Sequence, residues 1–363
     1  MWIDPAHPVG TALVTHGHAD HARGGHDRTV ATPATLAIMR LRYATEAGAE
    51  PVPYGESIQL PGAVSATYLP AGHVLGSAQI LLEHAGERVI VTGDYKRRPD
   101  PTCPPFAVTP CDVLITEATF GLPVFRHPPI GEEIAKLRAA RTANPARCVL
   151  VGAHALGKAP RVIGGLRSAG YAEPIYLHGA MERMCRLYGE FGIDLGELRP
   201  VAGVPPKNLG AELEGQIVIC PPSALADRWS RRLPDPLTAM ASGWMRVRAR
   251  ARQRQVELPL IISDHADWDE LTRTIEEVNP AETWITHGRE EALLRWCQLH
   301  QLSRDCQRAR SARRARRRTA GARQSPGRRA GWGGQLQRTP ATARAQDCLE
   351  KDAGRLSCLR PAV

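Results

Sequence analysis

Short apolar runs alternate with polar, Gly- and Pro-rich connections from residue 1 to about residue 300. Runs rich in Val, Ile and Leu predict strands, and the segment after residue 60 contains four, at 64–69, 78–83, 88–92 and 112–116. Thr32 followed by Pro33 is typical of a helix N-cap with proline at the first helical position, so a helix is predicted toward Tyr43.

From about residue 130 strands and helices alternate regularly. A predicted helix at 132–141 is followed by strands at 148–152, 174–177 and 216–220, with helices between them. This alternation is typical of a small α/β unit with a mainly parallel sheet. Strands at 258–263 and 282–286, each followed by a helix, complete the part that is predicted to be ordered.

Residues 301–363 contain almost no large apolar residues and show no usable period, which predicts disorder. This tail holds 16 Lys and Arg against 4 Asp and Glu, so the net charge of +10 comes from it and not from the body of the chain. Two interpretations stay open: a nucleic-acid-binding tail, and a frameshift product that replaces the native terminus, which is slightly favoured.

Composition excludes several classes of protein. No run approaches the 18 apolar residues of a membrane span, and the N-terminus lacks the pattern of a secretory signal. The nine cysteines form no CxxC pair, which favours reduced thiols and predicts a cytoplasmic location.

Four metal-competent side chains follow the apolar run 12–14 within six residues: His16, His18, Asp20 and His21. Imidazole and carboxylate ligands suit zinc, manganese or iron. Three further candidates, His73, Asp94 and His287, each follow an apolar run and are flanked by glycine. One such residue would be interpreted as structural, but their joint occurrence favours a metal centre.

These motifs together resemble the metallo-β-lactamase fold. "TEATFG" with Glu117, "SDHADW" with His265 and "THG" with His287 resemble the extra motifs of its β-CASP nuclease branch. Residues 1 to about 300 are most similar to the bacterial ligase-associated DNA exonuclease family, which is also similar to mRNA 3′-end-processing factors. The resemblance implies an αββα sandwich over 1–125 and 256–300, an inserted β-CASP α/β cap over 126–255, and a basic tail over 301–363.

The resemblance also implies a site with two zinc ions, or manganese, and roles for individual residues. One ion would take His16, His18 and His73, the other Asp20, His21 and His287, with Asp94 bridging them. A hydroxide between the ions would attack the phosphorus atom. His265 would be the general acid for the leaving oxygen, and Glu117 would orient its imidazole.

Basic residues suggest where nucleic acid could bind. Lys158 follows Gly157 at a strand-to-helix junction, which is a plausible phosphate contact. Arginines alternate along 246–254, so an extended segment would present one basic stripe; they are Arg246, Arg248, Arg250, Arg252 and Arg254. A solvated loop is the alternative. With 5% aromatic residues no stacking platform is predicted, and His26, His127, His154 and His178 are assigned structural or substrate-rim positions.

The favoured hypothesis is a zinc-dependent DNA exonuclease linked to ligation or repair, with a DNA ligase and a helicase as partners that the resemblance implies. The alternative is an RNA-processing β-CASP ribonuclease, because His287 at the last motif resembles the RNA-processing members. A small-molecule metallo-hydrolase and an inactive scaffold are less favoured. Only 15 residues precede His16, whereas the family usually has more strands there, so the chain is expected to lack an N-terminal hairpin.

Overall fold

The first sheet is small and entirely parallel. The computed structural model describes residues 1–43, 48–302 and 305–308. Its first four strands form one sheet in chain order: β1 (Trp2–Ile3), β2 (Thr11–Leu13), β3 (Arg28–Ala31) and β4 (Ala49–Pro51). Helix α1 (Pro33–Tyr43) follows β3, and the Thr32 hydroxyl accepts the N–H of Thr35 at 3.2 Å. The predicted helix start is therefore confirmed.

The second sheet begins with antiparallel hairpins. Its first five strands are β5 (Ser57–Leu60), β6 (Val64–Pro70), β7 (Ala78–His84), β8 (Glu87–Val91) and β9 (Val113–Ala118). Strands β5 to β8 pair antiparallel, and β9 pairs parallel to β8. The four strands predicted in this region are confirmed to within two residues at each end.

A six-stranded parallel sheet follows. Its elements in chain order are α2 (Ile130–Ala143), β10 (Val149–Gly152), α3 (Lys158–Ser168), β11 (Ile175–Leu177), α4 (Gly179–Glu190), β12 (Leu198–Pro200), α5 (Leu209–Leu213), β13 (Ile217–Cys220), β14 (Leu237–Ala241), α6 (Arg248–Gln253) and β15 (Leu258–Leu260). The strand order is β12-β11-β13-β10-β14-β15. The predicted parallel α/β unit is confirmed, and its sheet continues past the boundary predicted at residue 255, because β15 pairs with β14.

The last elements return to the second sheet. They are α7 (Trp268–Val278), β16 (Glu282–Gly288), α8 (Glu290–His300) and β17 (Asp305–Arg308). Strand β16 pairs parallel with β9, and β17 pairs parallel with β16. The prediction of disorder from residue 301 is wrong for β17, because the open edge of β16 offers backbone groups that this segment can pair. The remainder of the predicted tail, 309–363, lies outside the described residues.

The hydrophobic clusters show how the layers stack. Apolar residues of the first two sheets pack against each other, as Leu13 and Val30 do with Ile80. The outer face of the first sheet packs on α1, and the outer face of the second sheet packs on α7 and α8. The order of layers is helix, sheet, sheet, helix. The predicted metal-site and acid–base residues lie in the loops after β2, β6, β8 and β15 and in the last residues of β9 and β16.

The structure describes the side chains of six of the nine cysteines. Five of them are free thiols, as expected for a reduced protein: Cys103, Cys111, Cys148, Cys185 and Cys220. Among the described residues, no helix combines the length and the apolar character needed to cross a membrane.

Candidate metal centre

The loop after β2 brings three histidines to one edge of the first sheet. The N–H groups of His21 and Ala22 both donate to the carbonyl of His18, at 3.1 and 2.7 Å, which forms a tight turn. A side chain at Gly17 would lie 2.6 Å from Cγ2 of Ile38 on α1, so glycine is required between the first two histidines. The "HGH" pattern is thus explained by the packing of α1 against the loop.

His73 and Asp94 come from loops of the second sheet. Each follows a glycine with positive φ: a Cβ at Gly72 would lie 2.2 Å from the Lys96 carbonyl, and one at Gly93 would lie 2.8 Å from Thr15. The Nδ1–H of the buried His73 donates to a backbone carbonyl at 2.9 Å. This bond leaves the Nε2 lone pair of His73 facing the N-terminal histidines.

Four ligand-type side chains converge in the first group, His16, His18, His73 and Asp94. His18 Nδ1 lies 3.1 Å from His16 Nε2 and 3.0 Å from His73 Nε2, and Asp94 Oδ2 lies 3.6 and 3.8 Å from those two Nε2 atoms. Ligand atoms around a tetrahedral zinc ion with bonds of about 2.0–2.1 Å are separated by about 3.3 Å. The donor set fits one such ion.

The protonation of this group also suits a metal. Burial lowers the pKa of His16 and His73 well below the ordinary range, and neighbouring histidines lower it further. Burial lowers the pKa of His18 to about 4. These imidazoles are therefore neutral at pH 7, and a neutral imidazole is the form that binds a metal ion.

A second group consists of His21, Asp94 and His287. Asp94 Oδ2 lies 3.6 Å from His21 Nε2, while its Oδ1 accepts a hydrogen bond from His287 Nε2 at 3.1 Å. Burial opposes the charge of Asp94, yet positive charge on His21 and His265 and the bond from His287 hold its pKa well below the ordinary range. The carboxylate therefore stays ionised and faces both groups.

Asp20 is not brought into these groups. Its side chain is 77% exposed, and its Oδ2 lies 3.9 Å from His21 Nε2, so its role as a ligand stays a prediction. Asp4, which the sequence analysis missed, lies beside His21 instead: its Oδ2 accepts the Nδ1–H of His21 at 2.8 Å and the hydroxyl of Thr15 at 2.6 Å. Asp4 directly follows β1, the neighbour of β2, so the strand-end argument used for Asp94 could have found it.

His265 and Glu117 form a pair next to Asp94. The Nδ1 of His265 lies 3.1 and 3.2 Å from the two carboxylate oxygens of Glu117, which is fully buried. Burial opposes the charge of His265, but Glu117 and then Asp94 raise its pKa above the ordinary value. The imidazole is therefore held by Nδ1, and Nε2 is the nitrogen that can exchange a proton with a substrate.

The predicted phosphate contact Lys158 is engaged within the protein. Its ammonium group pairs with the buried carboxylate of Asp264 at 2.8 Å. Arg161, one turn further along α3, was not singled out from the sequence. It is 2% exposed, its Nη2 donates to the His73 carbonyl at 3.0 Å, and its Nε lies 3.1 Å from Asp264. Helix α3 thus reaches the loop that carries His73.

The interpretation of the arginine segment as an extended stripe is wrong. Residues Gly243–Arg246 form a short 3-10 helix and α6 follows at once, so the arginines do not alternate along a strand. Arg, Ala and Gln are strong helix formers, and Val247 is the single β-branched residue between Arg246 and Arg254. Arg246, Arg248 and Arg250 are nonetheless exposed.

Two of the four histidines that were assigned structural or substrate-rim positions make structural contacts. His178 caps α4 by accepting the N–H of Ala180 at 3.0 Å, and His26 accepts the N–H of Val9 at 3.2 Å. His127 is buried, and burial lowers its pKa to about 3. His154 is exposed.

The chain is similar to proteins that process nucleic acids. It is 34% identical over 292 residues to a probable DNA ligase of Opitutus terrae, a match that covers 79% of this chain and 28% of the ligase. A ribonuclease of Thermus thermophilus is 30% identical, with 50% of this chain and 49% of the relative covered. The endoribonuclease YSH1 of Mycosarcoma maydis is 30% identical, with 31% and 17% covered.

The chain thus spans between about a sixth and a half of the length of these relatives. No family model matches it. Among solved structures, a protein of unknown function from Enterococcus faecalis has a TM-score of 0.57 at 15% identity, covering 84% of this chain and 79% of that one. That structural similarity supports the mixed α/β fold alone.

Proposed function

Because the chain belongs to the β-CASP branch of the metallo-β-lactamase-type nucleases, we propose that it is a zinc-dependent phosphodiesterase that hydrolyses nucleic acid. The helix–sheet–sheet–helix layers would be the metallo-β-lactamase sandwich, and the unit around the six-stranded sheet would be the β-CASP cap. The observation that carries the proposal is the convergence of two histidine groups on Asp94, directly beside the Glu117–His265 pair.

In this proposal the ligand residues are divided between two ions. The first zinc ion would be held by His16, His18, His73 and Asp94, and the second by His21, His287, Asp94 and the predicted ligand Asp20. Manganese is the alternative, since imidazole and carboxylate ligands also suit it. When bound, two divalent ions would supply Lewis-acid polarisation of the phosphate and a water molecule with lowered pKa.

The protein's own residues would then move the proton of the leaving group. His265, with a raised pKa, would donate the Nε2 proton to the leaving oxygen. Glu117 would hold the Nδ1–H and stabilise the imidazolium, since it is fully buried and 3.1 Å away. Asp4 would orient His21 in the same way through its 2.8 Å bond to Nδ1.

Different relatives suggest two candidate substrates, DNA and RNA. The long match to a probable DNA ligase supports a DNA exonuclease that acts together with DNA ligation, with a ligase as partner. A helicase partner stays a prediction from the family resemblance. The matches to two ribonucleases, together with the histidine His287 at the last motif, support RNA as the second candidate. A small-molecule substrate is disfavoured, because the cap carries an exposed arginine segment that suits a polyanion.

The test is a substrate panel with matched variants. Purified protein is incubated with end-labelled single-stranded DNA, duplex DNA and RNA in the presence of Zn²⁺ or Mn²⁺. Asp94→Asn and His265→Ala should each abolish turnover, whereas His84→Ala, which alters an exposed histidine on β7, should not. Elemental analysis should find that Asp94→Asn loses metal and that His265→Ala keeps it.

The outcomes separate the alternatives. Hydrolysis of DNA but not RNA selects the first candidate, and the reverse selects the second. Cleavage of nitrocefin or a thioester without any phosphodiesterase activity would overturn the nuclease proposal. Equal loss of metal in the Asp94 and His265 variants would contradict the roles given to these two residues.

A further inference from the structure

The segment 236–256 carries five arginines and no acidic residue. The acidic residues that flank it, Asp235 and Glu257, are both paired with Arg147, at 3.2 and 2.9 Å. The arginines of the segment therefore have no carboxylate within their own stretch of chain. Such a concentration of positive charge suits a polyanionic ligand.

Two of these arginines are fixed by contacts that leave their charge available. The guanidinium carbon of Arg250 lies 4.0 Å from the centroid of the Trp244 ring. A guanidinium stacked on a ring keeps its N–H donors in its own plane, pointing away from the ring. The Nε–H of Arg246 donates to the carbonyl of Val124 at 3.3 Å, which leaves its terminal NH₂ groups for a ligand.

Trp244 connects these arginines to the candidate active site. Its ring centroid lies 4.8 Å from that of Phe120, and the Phe120 ring lies 6.1 Å from the ring of His265. The turn that carries Trp244 packs closely on Phe120, since a Cβ at Gly243 would lie 2.6 Å from Cζ of that ring. The backbone N–H of Trp244 also donates to the hydroxyl of Ser242 at 3.3 Å.

We propose that Arg250 held on Trp244, with Arg246 held on Val124, forms a subsite for the phosphate backbone of a nucleic-acid strand. The subsite lies on the side of His265, so it would bind the nucleotides that belong to the leaving group. This inference rests on the proposed function, which assigns His265 the protonation of the leaving oxygen. Trp244 acts here by holding an arginine and not by stacking a base, so the expectation that the chain has no base-stacking platform is unaffected.

The experiment measures binding without cleavage. The full chain carrying His265→Ala is titrated into end-labelled oligo-dT and oligo-U, and fluorescence anisotropy gives Kd at several salt concentrations. Arg250→Ala is compared with Arg254→Ala, which removes the same charge from the same segment and lies beyond α6, with no ring contact among the described residues. Both residues are exposed, so the two variants should fold equally well, as their melting temperatures will show.

We expect Arg250→Ala to weaken binding about tenfold at 0.1 M salt and to reduce the salt slope by about 0.7. Arg254→Ala should change Kd less than about twofold. Trp244→Leu should reproduce most of the loss and Trp244→Phe little of it, because an aromatic ring still supports the guanidinium. A loss with both oligonucleotides indicates backbone recognition, and a loss with one of them identifies DNA or RNA as the ligand.

Equal losses for Arg250→Ala and Arg254→Ala would overturn the subsite, because they would show unspecific attraction by the whole segment. Failure of the parent protein to bind either oligonucleotide would overturn it as well. If Trp244→Leu does not fold, the comparison of the two arginine variants still decides. Absence of cleavage by the wild-type enzyme would count against the proposed function alone, because binding is measured independently.

Discussion

Replacement of Arg161 by methionine tests whether helix α3 supports the loop that carries His73. The guanidinium is 2% exposed, and three of its nitrogens contact different segments. Nη1 lies 2.7 Å from Asp100 Oδ2, Nε lies 3.1 Å from Asp264 Oδ1, and Nη2 donates to the His73 carbonyl at 3.0 Å. Methionine retains much of the volume of the side chain and removes all three polar contacts.

The expected loss in free energy of unfolding follows from what remains beside each carboxylate. Asp264 keeps Lys158 at 2.8 Å, whereas among the described residues Asp100 keeps only donors of Thr102, including its N–H at 2.6 Å. Removal of one partner of a buried ion pair costs about 3–5 kcal/mol, because it leaves an uncompensated charge. The second substitution Asp100→Asn should therefore recover part of the loss.

The assay is urea unfolding of the chelator-treated protein, followed by circular dichroism. The matched control is Arg126→Met, because Arg126 pairs with Asp269 at 2.8 Å while both side chains are more than half exposed. Such a surface pair contributes less than about 1 kcal/mol. The reasoning is refuted if Arg161→Met costs no more than the control, or if Asp100→Asn adds to the loss instead of reducing it.

Two further predictions concern residues that hold imidazoles of the proposed active site. Asp4→Asn should weaken metal binding by roughly 10- to 100-fold in a chelator competition, because the Nδ1–H of His21 loses its carboxylate acceptor; unchanged affinity would contradict this role. Glu117→Gln removes a negative charge that raises the pKa of His265, so the protonated form is lost at a lower pH. The alkaline limb of the pH–rate profile should move to lower pH, and a shift to higher pH would exclude His265 as the general acid.

Much of the site could be predicted from sequence because its residues follow strands. The ends of neighbouring strands meet at one edge, so His16, His73, Asp94 and His287 could be expected to converge once each was recognised after an apolar run. The glycines beside them are explained by close contacts, such as the 2.2 Å that a Cβ at Gly72 would make with the Lys96 carbonyl. Local sequence therefore contains most of the information on these ligands.

Other features depend on contacts between distant parts of the chain. Arg161 looks like an ordinary helical arginine in the sequence, and only the packing of α3 against the loop after β6 makes it a buried donor. The period of two suggests an extended arginine segment, with a solvated loop as the alternative, but period alone does not overcome the helix preference of Arg, Ala and Gln. The contact between Arg250 and Trp244 depends on that helical turn.

The unit around the six-stranded sheet contacts the loop that carries His73, which limits how the proposed active site can open. The hydroxyl of Tyr188 on α4 accepts the N–H of Leu75 at 3.4 Å and that of Gly157 at 3.2 Å, and it is fully buried. Together with Arg161, it joins α3 and α4 to the loop that carries His73. A rigid rotation of this unit would separate Arg161 from Asp100 and Asp264 and break the hydrogen bonds of Tyr188, at several kcal/mol. We therefore expect substrate to enter by local movement of surface side chains near Trp244, with this unit remaining docked.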